Sequence, residues 1–121
     1  MIVLLGPLLW QFAPTKKFEP EDFDAWLNLL PATHEGVALR HVLEVRHASF
    51  VAPEFVALAE RHGTAICYAH HHDYPEIADV TAGFVYARLQ KGEDDVPTAY
   101  PPAEIASWAA RAKAWVEGGE P

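Results

Sequence analysis

Apolar and polar positions along the chain fall into two periods. Four short apolar runs read as strands: Leu8 to Phe12, His41 to Arg46, Thr64 to Ala69 and Phe84 to Leu89. In the second, alternation places Val42, Glu44 and Arg46 on one face and Leu43 and Val45 on the other. The third carries no charge, as a strand covered on both faces would. In the fourth, Phe84, Tyr86 and Arg88 share one face.

The intervening segments show helical spacing. From Pro20 to Leu30, the residues Phe23, Trp26, Leu27 and Leu30 form one stripe. Pro20 suits the first turn, Glu21 and Asp22 favour the positive end of the helix dipole, and Pro31 ends it. A second helix runs from Pro53 to Arg61, with Phe55, Val56 and Ala59 inward and Gly63 as its stop. The longest opens at Pro101-Pro102, carries Ile105, Trp108, Ala109, Ala112, Trp115 and Val116, and closes at Gly118-Gly119. Trp26, Trp108 and Trp115 read as core, and the stretch from His70 to Ala82 reads as irregular. Strand–helix alternation with short connections predicts a parallel α/β sheet, its right-handed crossovers placing the helices on one side.

Composition narrows the class. The chain of 121 residues is half apolar and carries 9 Lys+Arg against 17 Asp+Glu, a net charge of −8. That length predicts one domain over residues 1–121. The acidic balance argues against nucleic acid, which needs a basic stripe, and against an anionic membrane surface. The apolar start, Met1 to Trp10, lacks a basic leader, contains Gly6 and Pro7, and stops at Gln11, short of the ~20 residues that span a bilayer. It reads as a buried strand of a cytoplasmic protein. The single cysteine, Cys67, excludes an internal disulfide and a cysteine-built zinc site; its apolar mid-strand position predicts an unreactive core thiol. No phosphate-cradling glycine loop occurs, Ser49 lacks the glycines of a nucleophile elbow, and nothing assigns a cofactor.

The polar residues at the strand ends carry the candidate chemistry. Glu44 and Arg46 stand near the C-terminal end of the second strand, roughly 6.6 Å apart along it. Arg88 repeats the pattern on the fourth strand and Gln11 on the first. Helices on one face and charges at the strand ends on the other are the organisation of a (β/α) barrel, whose reactive groups stand at the C-terminal mouth. A closed barrel needs about 200 residues or more, so this chain supplies a (β/α)4 segment of four parallel strands with helices outside. Arg88 has the reach to bridge to Glu44. The functional reading is an anion grip by arginine forks, with Glu44 accepting a proton. The alternative is a buried charge network that fixes the interior. His47, one step past Arg46, reads either as a general acid/base or as a hydrogen-bonded structural histidine. His70-His71-His72-Asp73 presents metal-capable side chains, but no second ligand pair stands at a recognised spacing. It reads as a polar mouth loop, and no metal is assigned.

Three segments carry a family resemblance: Gly6-Pro-Leu-Leu-Trp-Gln11, Glu44-Val-Arg-His-Ala-Ser-Phe50 and Thr81-Ala-Gly-Phe-Val-Tyr-Ala-Arg-Leu89. In this order they resemble signatures of the YecE-like family, domain-of-unknown-function family 72. The lead-in Ile77-Ala-Asp-Val80 and the insert Glu93-Asp-Asp-Val-Pro97 resemble one branch of it, and the similarity runs from about Leu5 to Val116. The resemblance implies a TIM barrel about twice this length, with this chain holding strands four to seven. It implies no settled activity. By resemblance Gln11, Glu44, Arg46, His47, Tyr86 and Arg88 line the mouth. The chain departs from the family at His70 and Gly83, where members commonly carry acidic residues, which weakens the case for acid–base or metal work at His70. The expected function is a small polar or anionic ligand site of unassigned activity, with Glu44 and His47 as catalytic candidates and Gln11, Arg46, Tyr86 and Arg88 as ligand-binding ones. The alternative is a non-catalytic half-barrel module or fragment that self-associates, as a homodimer through its open side.

Overall fold

The computed structural model describes residues 5–118. Its elements are strand β1 (Leu8–Gln11), helix α1 (Pro20–Asn28), a hairpin of β2 (Thr33–His34) and β3 (Val37–Ala38), strand β4 (His41–Glu44), a 3-10 turn (Ala48–Phe50), helix α2 (Pro53–Arg61), strands β5 (Ala65–Ile66), β6 (Tyr68–His70) and β7 (Ala87–Leu89), and helix α3 (Pro102–Val116). No helix among the described residues is long and apolar enough to cross a membrane. Of the apolar start, residues 1–4 lie outside the described part.

The fold is mixed α/β with parallel pairing, and the described residues form no closed barrel. β4 is central in a three-stranded sheet, with β1 on one side and β5 on the other, both parallel to it. Leu8 to Gln11 pair in register with His41 to Glu44, and Val42 and Leu43 pair with Ala65 and Ile66. β6 and β7 form a parallel pair in which Ala69 opposes Arg88. The expected third strand is therefore divided at Cys67. There the Cys67 amide donates to Leu43 O at 2.8 Å and the Tyr68 amide to Tyr86 O at 2.9 Å. Consecutive amides of an inner strand point to opposite neighbours, so the run from Ala65 to His70 takes β4 on one side and β7 on the other. The order across the sheet is β1, β4, β5/β6, β7, with β1 and β7 as its edges among the described residues.

Each face has its own core. On the helix side, Leu43, Val45 and Ile66 pack with Phe23 and Leu27 of α1 and Phe55 and Ala59 of α2, around Phe50. The rings of Phe50 and Phe55 meet edge to face at 5.0 Å, and each lies 5.6 Å from Phe23. On the other face Val42, Ala65 and Cys67 pack with Leu9, Phe84 and Tyr86. The alternation expected for β4 holds, with Val42 and Glu44 opposite Leu43 and Val45.

Local chemistry sets the boundaries. Glu21 and Asp22 stand in the first turn of α1 and Glu54 in that of α2, each helix opening on proline. Gly63, at a φ of +65°, takes the left-handed conformation that turns the chain out of α2 into β5. Glu35 and Gly36, at φ values of +50° and +80°, form the two-residue loop of the β2–β3 hairpin, which the apolar pattern does not predict. β1 is an edge strand, with Trp10 and Gln11 exposed, rather than the buried strand expected. The Trp10 indole donates to His41 Nδ1 at 3.1 Å and His41 Nε2 donates to Pro31 O at 2.7 Å, which holds the buried ring in its Nε2–H tautomer.

The last helix departs most from expectation. Trp108 and Trp115 meet the Tyr68 ring edge-on at 5.6 and 5.7 Å, but no residue of α3 is fully buried. Val116 is 88% exposed and Ile105 43%. The apolar stripe is real, yet β7 is an edge and nothing among the described residues packs on its far side. The fourth strand is also shorter than expected, since Phe84 and Tyr86 lie outside β7.

Candidate functional site

Glu44 ends β4 on the face without helices, and its side chain is 1% exposed. A carboxylate so placed must be paired, because an isolated buried charge costs several kcal/mol. Its Oε1 accepts from Arg46 Nη2 at 3.0 Å and Nε at 3.3 Å, and from Arg88 Nη1 at 2.8 Å. Its Oε2 accepts from Arg88 Nη1 at 2.5 Å, and the Cys67 thiol points to it at 3.8 Å. Arg46, two residues past the end of β4, and Arg88 of β7 are thus gathered on the carboxylate of Glu44. Burial alone would raise the Glu44 pKa. The hydrogen bonds and charges of Arg88 and Arg46 outweigh it and hold the carboxyl below its ordinary value. The hydrogen bond to Glu44 raises the Arg88 pKa further.

The arginine side chains are partly exposed, 22% for Arg46 and 31% for Arg88. Among the described residues, Arg46 Nη1 and Arg88 Nε and Nη2 make no hydrogen bond. Two guanidiniums against one carboxylate leave a local charge of about +1 on an acidic chain. Arg46 lies over the Tyr74 ring, 4.7 Å from its centroid. His71 stacks on the same ring at 4.1 Å and 17°. A parallel ring so close covers one face of Tyr74, so Arg46 takes the other.

The remaining expected site residues are placed apart from this cluster or beside it. Gln11 is level with Glu44 in the β1–β4 register and exposed. Tyr86 packs its ring against Val42, Ala65 and Cys67 on the same face. His47 is engaged locally, since its Nδ1 accepts from the Ser49 amide at 3.0 Å and lies 2.8 Å from Ser49 Oγ, which accepts from the Phe18 amide at 2.8 Å. The ring caps the 3-10 turn. No hydrogen bond joins it to Glu44, Arg46 or Arg88 among the described residues.

The histidine run is dispersed. His70 Nδ1 accepts from Tyr100 OH at 3.2 Å, and Tyr100 OH accepts from the Lys91 amide at 2.7 Å, so His70 anchors the loop before α3. His71 lies on Tyr74, and His72 is exposed. Among the described residues no three His, Cys, Asp or Glu side chains gather as a metal ion would require. The sequence reading misses Tyr74, whose only signal is an aromatic residue in a polar loop. It also misses a network in which Tyr68 OH donates to Glu76 at 3.0 Å and accepts from Arg111 at 3.1 Å, with Lys91 on Glu76 at 3.3 Å.

Cys67 is a buried neighbour of the site rather than a nucleophile. Burial first, and then the Glu44 charge, push its pKa up to about 12. In the folded protein at pH 8, Ellman's reagent is expected to react with Cys67 more than about a hundred-fold slower than in urea. Equal rates in the two states would contradict the buried placement.

The family model described as Protein of unknown function DUF72 matches residues 3–121. The chain belongs to the DUF72 family. The match takes in every member of the Glu44 cluster, and the DUF72 description assigns no activity to it. No curated protein and no solved structure matches the chain.

Proposed function

We propose that this DUF72 chain is a (β/α)4 segment of a TIM barrel whose C-terminal mouth binds a small anionic or polar ligand, with Arg46 and Arg88 as the grip. The observation that carries this reading is the buried Glu44 carboxylate, which holds two arginine heads while, among the described residues, Arg46 Nη1 and Arg88 Nε and Nη2 have no hydrogen-bond partner. An anion placed there meets preset donors and a net positive charge, and bidentate arginine contacts suit both phosphate and carboxylate. Glu44 positions the arginines. A carboxylate with its pKa lowered and both oxygens engaged is a poor general base near neutral pH. A proton-handling role for His47 rests on its Nε2, since Nδ1 is taken by the turn. Gln11 and Tyr86 extend the same face.

The parallel strands, with polar residues at the C-terminal ends of β1 and β4 and on β7, support the barrel reading. The second reading, a non-catalytic half-barrel module, shares these residues and draws on the two unpaired sheet edges. Calorimetric titration of the full chain with inorganic phosphate, and separately with acetate, tests the grip. Arg46→Met is expected to weaken phosphate binding about 10- to 100-fold, the worth of a charged hydrogen-bonded pair. Unchanged affinity in Arg46→Met would remove the grip and leave the module reading.

A further inference from the structure

We infer that Tyr74 is a positioning residue of the anion grip, an inference that rests on the anion-site reading. Its ring holds the Arg46 guanidinium by the face while Glu44 holds it by the edge. Arg46 stands two residues past the end of β4, and Tyr74 four residues past the end of β6. β4 and the run through β5 and β6 are neighbours in the sheet. The loops that leave them therefore meet at one arginine.

The two partners take different parts of that arginine. Glu44 Oε1 accepts from Nε at 3.3 Å and from Nη2 at 3.0 Å, along one edge of the planar head. The Tyr74 centroid lies 4.7 Å from Cζ, and an aromatic face attracts a cation without occupying any N–H. Glu44 is already shared with Arg88. A second carboxylate would steady Arg46 by consuming donors that an anion needs and by cancelling the local positive charge. A tyrosine ring steadies it and spares both.

Tyr74 is itself held from two directions. His71 stacks on its other face, with centroids 4.1 Å apart, and His71 Nδ1 accepts from the Asp73 amide at 3.0 Å, which orients the imidazole. Pro75 follows directly and restricts the backbone of both residues. Then comes Glu76, which accepts from Tyr68 OH at 3.0 Å and from Lys91 Nζ at 3.3 Å. Arg111 of α3 donates to the same Tyr68 hydroxyl at 3.1 Å. This network has no part in gripping the anion, yet it pins the loop that carries Tyr74 to β6 and α3. Arg46 thus meets its ligand already ordered. Immobilising so flexible a side chain on binding would otherwise weaken affinity by about 3- to 10-fold.

Two measurements on the full chain test the role. In proton–nitrogen correlation spectra without ligand, the Arg46 Nε–H signal, assigned by its loss in Arg46→Met, is expected to be displaced by the Tyr74 ring current. Tyr74→Phe keeps that displacement and Tyr74→Leu loses it. Tyr74 is half-buried in an irregular loop, so both variants keep the fold. In calorimetric titration with inorganic phosphate, Tyr74→Leu is expected to bind about 3- to 10-fold more weakly than wild type. Tyr74→Phe retains the wild-type affinity, because the face and not the hydroxyl holds the cation. A Tyr74→Phe variant as weak as Tyr74→Leu would overturn the role of the face. An Arg46 signal unmoved by Tyr74→Leu, or an unchanged phosphate affinity in that variant, would overturn the positioning role while the grip stands. A wild-type chain that binds no phosphate would sink the grip itself, and the role of Tyr74 with it.

Discussion

Replacing Glu44 by glutamine is expected to lower the thermal midpoint of the chain by roughly 10 °C. The carboxylate is fully buried and two guanidiniums are held on it, so the neutral amide leaves two like charges side by side with no counter-ion. Removing one member of a buried ion pair costs about 3–5 kcal/mol. The arginine heads retain a path to water, which puts this case near 3 kcal/mol. For a chain of this length 1 kcal/mol is worth about 4 °C. The effect carries a pH signature with a definite sign. Because the folded-state pKa lies below the ordinary 4.5, the contribution of Glu44 is complete above that value and is lost as pH falls through the lowered folded value. The gap between wild type and Glu44→Gln is therefore widest near neutrality and narrows as pH falls from the ordinary 4.5 through the lowered folded value. Melting curves followed by circular dichroism from pH 3 to 7 measure it. A gap that is absent, or flat across that range, would show that the arginines need no buried partner.

Phe50→Ala is expected to be the most damaging single change in the helix-side core. The ring is fully buried and touches Phe18, Phe23 and Phe55, with centroids at 5.3, 5.6 and 5.0 Å. Truncating such a residue to alanine costs about 3–5 kcal/mol, because the transfer energy is lost and a cavity remains. Small domains have a total stability of about 5–15 kcal/mol. The urea midpoint should fall by roughly 2 M, with loss of the near-ultraviolet signal of the packed aromatics. A shift under about 0.5 M would mean that the neighbouring rings close over the gap. The cluster joins α1, the 3-10 turn and α2 to β4, so its loss also loosens the strand that ends in Glu44.

What could be read from the sequence follows from how strongly each feature is periodic. The starts of α1 and α2 were legible because proline, acidic first turns and an apolar stripe agree at each. The alternation of β4 is legible for the same reason and makes Glu44 and Arg46 same-face neighbours, while the alternation of the fourth strand offers Arg88 as a partner for Glu44. The hairpin at 33–38 is not legible in the sequence because its loop is Glu35-Gly36, without the asparagine or aspartate that usually marks such turns. The stripe of α3 tells which side is apolar but not whether anything lies against it, and here only part of it is met. His47 was chemically suggestive at a strand end, yet a neutral imidazole accepts an amide as readily as a capping oxygen does. Tyr74 sits in a loop without period, where sequence spacing gives no direction to a side chain.

The division of the third strand at Cys67 has a mechanical consequence. By extension of the β4–β5 register, Cys67 stands level with Glu44, whereas Arg88 stands level with Ala69, two residues further along. The guanidinium therefore reaches diagonally back across one pleat repeat, about 6.6 Å, and only a long side chain spans that offset. A slip of β7 by a single residue would turn Arg88 to the helix side and part it from Glu44. The ion pair thus acts as a pawl between strands that share few ladder bonds, locking their sliding position as well as neutralising a charge.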